Sequence, residues 1–292
     1  MNISHKLRKP ARIVGGLLFA ASLYFIYDAA SALQPGARLA RLGASELCVV
    51  LLSSIAYAAL LTLLAIGWHE VASGANPHRP KLPSIIAYAR SVLAKYLPGS
   101  IFQYASRQMF GASAGFDQKH MALSSMVEVA LHIIVATMLA SAMLALSGLW
   151  GLPALAAGIG AAFALAMLAA RKLPGFGQAL VSQLAFFAGF ALIAALIAWI
   201  LIGAPTSALT LAGIFLVAWL AGFLVPFAPG GIGIREAALI ALGTTVADPA
   251  TLLSFAALTR LVTLAGDFLF GAAGYILPSL LMRLNRQASA GQ

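Results

Sequence analysis

Charge is what this sequence has least of. Only 18 basic and 8 acidic side chains are spread over 292 residues, while 62% of the chain is hydrophobic and the mean hydropathy is +0.96. So few charges cannot clothe a water-soluble globular domain. The short, strictly alternating segments of a transmembrane barrel are also missing; the apolar runs are unbroken and rich in Ala, Leu and Gly, as membrane-spanning helices require. There is one cysteine, Cys48, inside an apolar run, so the chain holds neither an internal disulfide framework nor a cysteine metal centre. No Gly-x-x-x-x-Gly-Lys-Ser/Thr motif appears, which removes that mode of nucleotide binding. The net charge of +10 is not gathered into basic clusters interleaved with aromatics, so nucleic acid is not the expected partner. The basic residues flank the apolar runs instead, where they act as topology signals and contacts to anionic headgroups.

What is present is a series of apolar runs. The first spans about Ile13 to Leu33 behind Lys6, Arg8, Lys9 and Arg12. It resembles a signal peptide, with Ala30-Ser31-Ala32 as a conceivable cleavage site. The run is too long for that, and Tyr24, Tyr27 and Asp28 interrupt its end, so it reads as an uncleaved helix with a cytoplasmic amino terminus. Further helices are expected at about Ala44 to Trp68, Met121 to Leu146, Leu152 to Ala170, Leu180 to Ile202, Leu209 to Leu224 and Leu252 to Leu281. Between the second and third, Ser84 to Tyr96 suits an interfacial amphipathic helix. The segment from Ile101 to Arg107 is too short to cross roughly 30 Å of hydrocarbon and too apolar for a solvated loop; it is expected to be a re-entrant half-helix ended by Gly111 and Gly115.

Crossing parity is a difficulty. Seven crossings from a cytoplasmic start end outside, whereas Arg283 and Arg286 favour a cytoplasmic end. Either the region from Leu224 to Asp248 adds a crossing or one charge signal misleads. The fold class expected is an all-α polytopic bundle of about 7–8 membrane helices with one or two broken half-helices, in a single membrane domain.

Two polar breaks interrupt the apolar pattern. One is Leu97-Pro98-Gly99, followed by a run reaching Arg107; the other is Ala228-Pro229-Gly230, followed by a run reaching Arg235. Proline and glycine break helical hydrogen bonding, and in a bilayer such a break persists only where protein or a water-filled cavity satisfies the backbone. Interrupted segments at matching places in two halves point to a transporter's central site. An inverted repeat would pair about 44–147 with 180–282.

Lys95-Tyr96-Leu97-Pro98-Gly99 and Pro229-Gly230-Gly231-Ile232-Gly233-Ile234-Arg235-Glu236-Ala237 together resemble the two signature motifs of the lysylphosphatidylglycerol synthetase transmembrane-region family, which includes the flippase half of multiple peptide resistance factors and stand-alone relatives. The second motif matches almost throughout; the first supports it by order and spacing. The resemblance implies an inner-membrane protein that moves a phospholipid, an aminoacyl-phospholipid or a polyprenyl-linked lipid between leaflets. Family members that also make the modified lipid carry a soluble aminoacyltransferase domain. This chain stops at Gln292, so synthesis is not expected from it. A homo-oligomer and a partner lipid-modifying enzyme both fit that setting.

Candidate substrate-binding residues follow from the breaks and from the ionisable groups at membrane depth, each of which costs ~2.5–3.5 kcal/mol to insert. Arg235 would bind a lipid phosphate beside the amides of Gly230, Gly231 and Gly233, with Glu236 orienting it or responding to protons; the alternative is a structural or interfacial pair. Adjacent helical residues point about 100° apart, so Arg235 and Glu236 each need another partner. Arg107, with Gln103 and Tyr104 on the preceding turn and Pro98 and Gly99 at the break, would either face the same headgroup or snorkel to the interface. Glu128 and His132 share one helix face. Two ligands without a third do not make a metal site, and a helix-to-helix hydrogen bond is the simpler role. Arg260 and Asp267, roughly 10 Å apart along one helix, are expected to pair elsewhere: Asp267 with Arg235 or Arg107, and Arg260 with Glu236 or Glu128. No cofactor is called for. An intramembrane enzyme using Glu236, Glu128 or His132 as acid or base, and a non-catalytic scaffold, are the alternatives to transport; no nucleophile stands at readable spacing from a base, and a scaffold leaves the breaks unexplained.

Overall fold

The computed structural model describes residues 43–74, 76, 78–97, 101–148, 160, 172–225, 229–231 and 233–290. The predicted helix at 13–33, nearly all of that at 152–170, and Pro98 and Gly99 lie outside them. Among the described residues the chain is helical, without strands. The helices are α1 (Ala44–Ala72), α2 (Lys81–Val92) continued by a 3-10 turn (Leu93–Tyr96), α3 (Phe102–Ser113), α4 (Gln118–Leu146), α5 (Phe176–Ile202), α6 (Pro205–Leu224), α7 (Ile234–Gly243) and α8 (Pro249–Ala290). Five of these, α1, α4, α5, α6 and α8, are long and apolar enough to cross a membrane. Helix is the form that satisfies backbone groups within one segment when the surroundings offer no water. Local chemistry sets several ends. Asp117 caps α4 by accepting from the amides of Lys119 and His120, and the His120 contacts hold its carboxyl below the usual range. Pro205 opens α6, where its missing N–H is no loss.

The distribution of polarity is that of a membrane protein. Met126 and Leu192 are 72% and 71% exposed, while Arg107 and Asp267 are 1% and 0% exposed. An apolar surface around a polar interior is the arrangement lipid favours. The all-α membrane bundle expected from the sequence is therefore what forms. Its core is aromatic: Phe187 meets Trp219 edge-on at 5.1 Å, and Phe215 meets Phe190 and Phe255 in the same way.

Neighbouring residues fix how the helices run. Gly175, at the start of α5, sits against the Glu70 backbone at the end of α1, and Gly189 sits against Leu60, so α1 and α5 are antiparallel. Gly74 abuts His120, and the Arg79 guanidinium donates to the Gly115 carbonyl. These contacts gather Arg79, Lys81, His120 and Lys172 at one end of the bundle.

The predicted amphipathic segment and half-helix form one re-entrant hairpin from this basic end. On its way in, α2 runs antiparallel to α8: Ala89 lies by Gly274, Leu93 by Gly271, and Tyr96 bonds Asp267. On its way back, α3 brings Gly111 against Met121 in the first turn of α4. Gly111 lies inside α3, not at its end; the helix stops at Ser113, and Gly115 follows.

The second hairpin corrects the expectation that residues 209–224 make a full crossing. Gly213 packs on Ala140 and Leu144 near the end of α4, while Trp219 and Phe223 meet His132, which is the midpoint of α4. α6 therefore ends halfway down its neighbour. After the break, α7 turns back: Arg235 lies against Gly222, and Gly243 lies against Leu252 near the start of α8. Hence α6 and α7 form a hairpin entering from the end opposite the basic one. Residues 205–243 therefore make no net crossing and α8 runs on to the basic end; the helices expected at 13–33 and 152–170, on which the rest of the crossing count depends, lie outside the described residues. The tips of the two hairpins meet: the Tyr96 ring closes on Gly230, where an added Cβ would come within 3.0 Å of it.

Candidate functional site

A cavity of about 290 Å3 lies where the hairpin tips meet. Arg107, Gln103, Tyr104, Glu128, His132, Asp267, Gly230, Gly231 and Arg235 line it, as do Lys95, Tyr57, Tyr88, Tyr96 and Trp219. The two arginines of the two breaks thus face one shared space. Glu236, Arg260 and Gly233 do not line it; Glu236 and Arg260 instead flank a small pocket behind Arg235.

Arg107 is fully engaged. Its Nη1 lies 2.6 Å from Glu128 Oε2, its Nε donates to Ser91 Oγ, and its guanidinium stacks 3.7 Å from the centre of the Tyr88 ring. Tyr88 donates to the other oxygen of Glu128 at 2.8 Å. Each charge is paired and hydrogen-bonded, which is what makes an ion pair tolerable away from water. Snorkelling to the interface does not occur. Glu128 has the interhelical role expected of it, but to a charged partner. His132 contributes Nδ1 to the Glu128 carbonyl within α4, and its ring sits among Phe186, Phe187, Trp219 and Phe223. Among the described residues no three His, Cys, Asp or Glu side chains gather as metal ligands.

Asp267 pairs with neither Arg235 nor Arg107. Lys95 Nζ lies 2.6 Å from its Oδ2, and the Tyr96 hydroxyl donates to the same oxygen at 2.5 Å. The register of α2 on α8 decides this, since it places the 3-10 turn at the level of Asp267. Arg260 does reach Glu236, at 3.8 Å from Nε to Oε1, and its Nη1 donates to the Gly230 carbonyl at 2.7 Å. It braces the tip of the second hairpin from outside the cavity. Glu236 Oε2 accepts from the Gly233 amide at 2.7 Å, so that amide is committed to closing the first turn of α7. The expected nest of three glycine amides is reduced to Gly230 and Gly231, whose φ values of 56° and 73° are ones side-chain-bearing residues rarely adopt.

Arg235 is held differently. It has no carboxylate partner and no hydrogen bond to the described residues, and its buried Nε is unsatisfied. Its guanidinium lies 5.5 Å from the centre of the Trp219 ring. The side chain threads between two glycines. A Cβ on Gly222 would overlap its Cγ, and one on Gly231 would stand 2.7 Å from Nε. Both glycines thus make room for the arginine.

Sequence reasoning missed Lys95 and Tyr96 as site residues although it singled out their motif, and it missed Tyr57, Tyr88 and Trp219 altogether. The first two adjoin a break, which was a usable signal; the last three lie in apolar helices with nothing local to mark them. Comparisons with protein-family models, curated proteins and solved structures find no match for this chain.

Proposed function

We propose that this chain moves a phosphate-bearing lipid between the leaflets of a cytoplasmic (inner) membrane, with its amino terminus and basic end in the cytoplasm. The observation that carries this reading is Arg235, a cation without a counter-ion among the described residues, in a headgroup-sized cavity at mid-bundle between two hairpins that enter from opposite ends. A phosphate supplies the missing partner through charge-assisted hydrogen bonds to the guanidinium. The volume suits a headgroup and not its acyl or prenyl chains, which stay in the bilayer. Withdrawal of either hairpin tip opens the cavity to one side, the alternation a carrier needs. Described residues of the two motifs that resemble the lysylphosphatidylglycerol synthetase transmembrane-region family, Tyr96 in one and Gly230 in the other, meet where the two hairpins meet, which supports the same reading. A gradient, a partner or downhill equilibration drives the movement.

The test is reconstitution of the full chain into vesicles with fluorescent phospholipids, followed by the fraction accessible from outside. Protein-dependent movement that disappears in Arg235→Gln is expected; unchanged movement in that variant removes Arg235 from the site. Lipid that copurifies with the chain, identified by mass spectrometry, names the cargo.

A further inference from the structure

The transport reading leaves the headgroup's charge open, and the cavity's own charges narrow it. Among the described residues three cationic side chains line the cavity, Lys95, Arg107 and Arg235, against two carboxylates, Glu128 and Asp267. Both carboxylates are already spent: Glu128 on Arg107 at 2.6 Å and Asp267 on Lys95 at 2.6 Å, each with a tyrosine hydroxyl as well. His132 bonds the backbone of its own helix among four aromatic rings, and is counted as the neutral imidazole. Behind the cavity, Arg260 and Glu236 offset one another. With or without that outer pair, the balance is one positive charge, and it resides on Arg235.

We infer that the site is matched to a headgroup of net charge −1, a single phosphodiester monoanion. This rests on the transport reading and selects within its lipid classes. A diphosphate brings at least one negative charge that no free cation meets. A headgroup with an ammonium beside its phosphate brings a positive charge that no free carboxylate among the described residues meets, because Glu128 and Asp267 are each already paired with a cation. Away from bulk water an unmatched charge is heavily penalised, so a difference of one unit discriminates strongly.

The experiment uses the full chain in vesicles and three lipids sharing one fluorescent acyl chain: phosphatidylglycerol, phosphatidylcholine and diacylglycerol diphosphate. Phosphatidylglycerol is expected to move at least about tenfold faster than either of the others, the ratio that ~1.4 kcal/mol of discrimination gives. Equal or faster movement of the diphosphate or of phosphatidylcholine overturns the charge rule while leaving transport standing. No protein-dependent movement of any of the three overturns the charge rule and removes diacylglycerol phospholipids from the transport reading. Charge-shift variants give a second readout. Asp267→Asn frees Lys95, raises the cavity to +2 and is expected to move preference toward the diphosphate by about tenfold; an unshifted ratio in a folded variant counts against the rule. The three-lipid series on the unaltered chain decides the matter even if that variant does not fold.

Discussion

Arg107 and Arg235 hold corresponding places on the two hairpins and are treated in opposite ways. Arg107 is surrounded by Glu128, Ser91 and the Tyr88 ring, whereas Arg235 has an indole on one side, glycine on two others and no anion. A buried guanidinium paired through Nε and Nη1 fastens α3 to α4 and α2. One without such partners is a charge that the described residues leave unmatched. The difference shows that two like residues in like sequence contexts can have opposite surroundings, which the motif alone does not announce.

The comparison presumes that the hairpins enter from opposite ends, and breaking that presumption gives the largest effect, since it is all or none. In a Cys48→Ser background, His78→Cys and Ser113→Cys are expected to react with a membrane-impermeant thiol reagent from one side only. Thr206→Cys and Thr245→Cys, at the ends of the second hairpin, are expected to react from the other. Labelling of Thr206→Cys and Thr245→Cys from opposite sides would make residues 205–243 a crossing and dissolve the symmetry.

Stability separates the two arginines next. Glu128→Leu leaves Arg107 charged and buried, and breaking such a pair costs about 3–5 kcal/mol. A lowered unfolding midpoint in detergent is expected, with most of the loss recovered in the Arg107→Met, Glu128→Leu double variant. A single variant within about 1 kcal/mol of the parent would place Arg107 with the ligand site and not with the scaffold.

The sequence carried more of the fold than of the site, for physical reasons. Hydrocarbon length and backbone satisfaction dictate long helices, and prolines and glycines mark the breaks, so both hairpin tips were legible from Pro98 to Arg107 and from Pro226 to Ala238. Of the two partners expected for Arg260, Glu236 flanks the same tip and is reached, whereas Glu128 belongs to Arg107. Asp267 was matched to the wrong cations because its partner depends on the register of α2 against α8, which glycine contacts at Gly271 and Gly274 set and no local pattern announces. The course of α6 was hidden for a related reason: Pro205 to Leu224 is long and apolar enough to cross, and only its register on α4 halts it midway. Gly222 stands in an apolar helix, where no local pattern marks it. It is the wall of the Arg235 slot.

That slot gives a smaller and more local test. Gly222→Ala introduces a methyl that overlaps Arg235 Cγ, and displacing one flexible side chain costs about 1–2 kcal/mol, less than a broken ion pair. The variant is expected to remain folded in detergent while losing lipid movement, because the arginine is turned from the cavity. Retained movement would mean that Arg235 tolerates a second placement, and the slot would then be packing alone.

Arg235→Gln is expected to have the smallest effect on stability, within about 1 kcal/mol, because there is no anion to strand and Arg260 nearby is relieved of a like charge. The same variant is expected to lose lipid movement. Arg107→Gln reverses the pattern: it strands Glu128, destabilises the fold and so cannot be read as a transport variant until its folded fraction is measured. Unfolding midpoint and vesicle assay on both proteins therefore give two numbers each, and the prediction is that they fall on opposite diagonals. If Arg235→Gln proves as destabilised as Arg107→Gln, then Arg235 is bound to the scaffold after all, and its freedom from partners does not mark a ligand site.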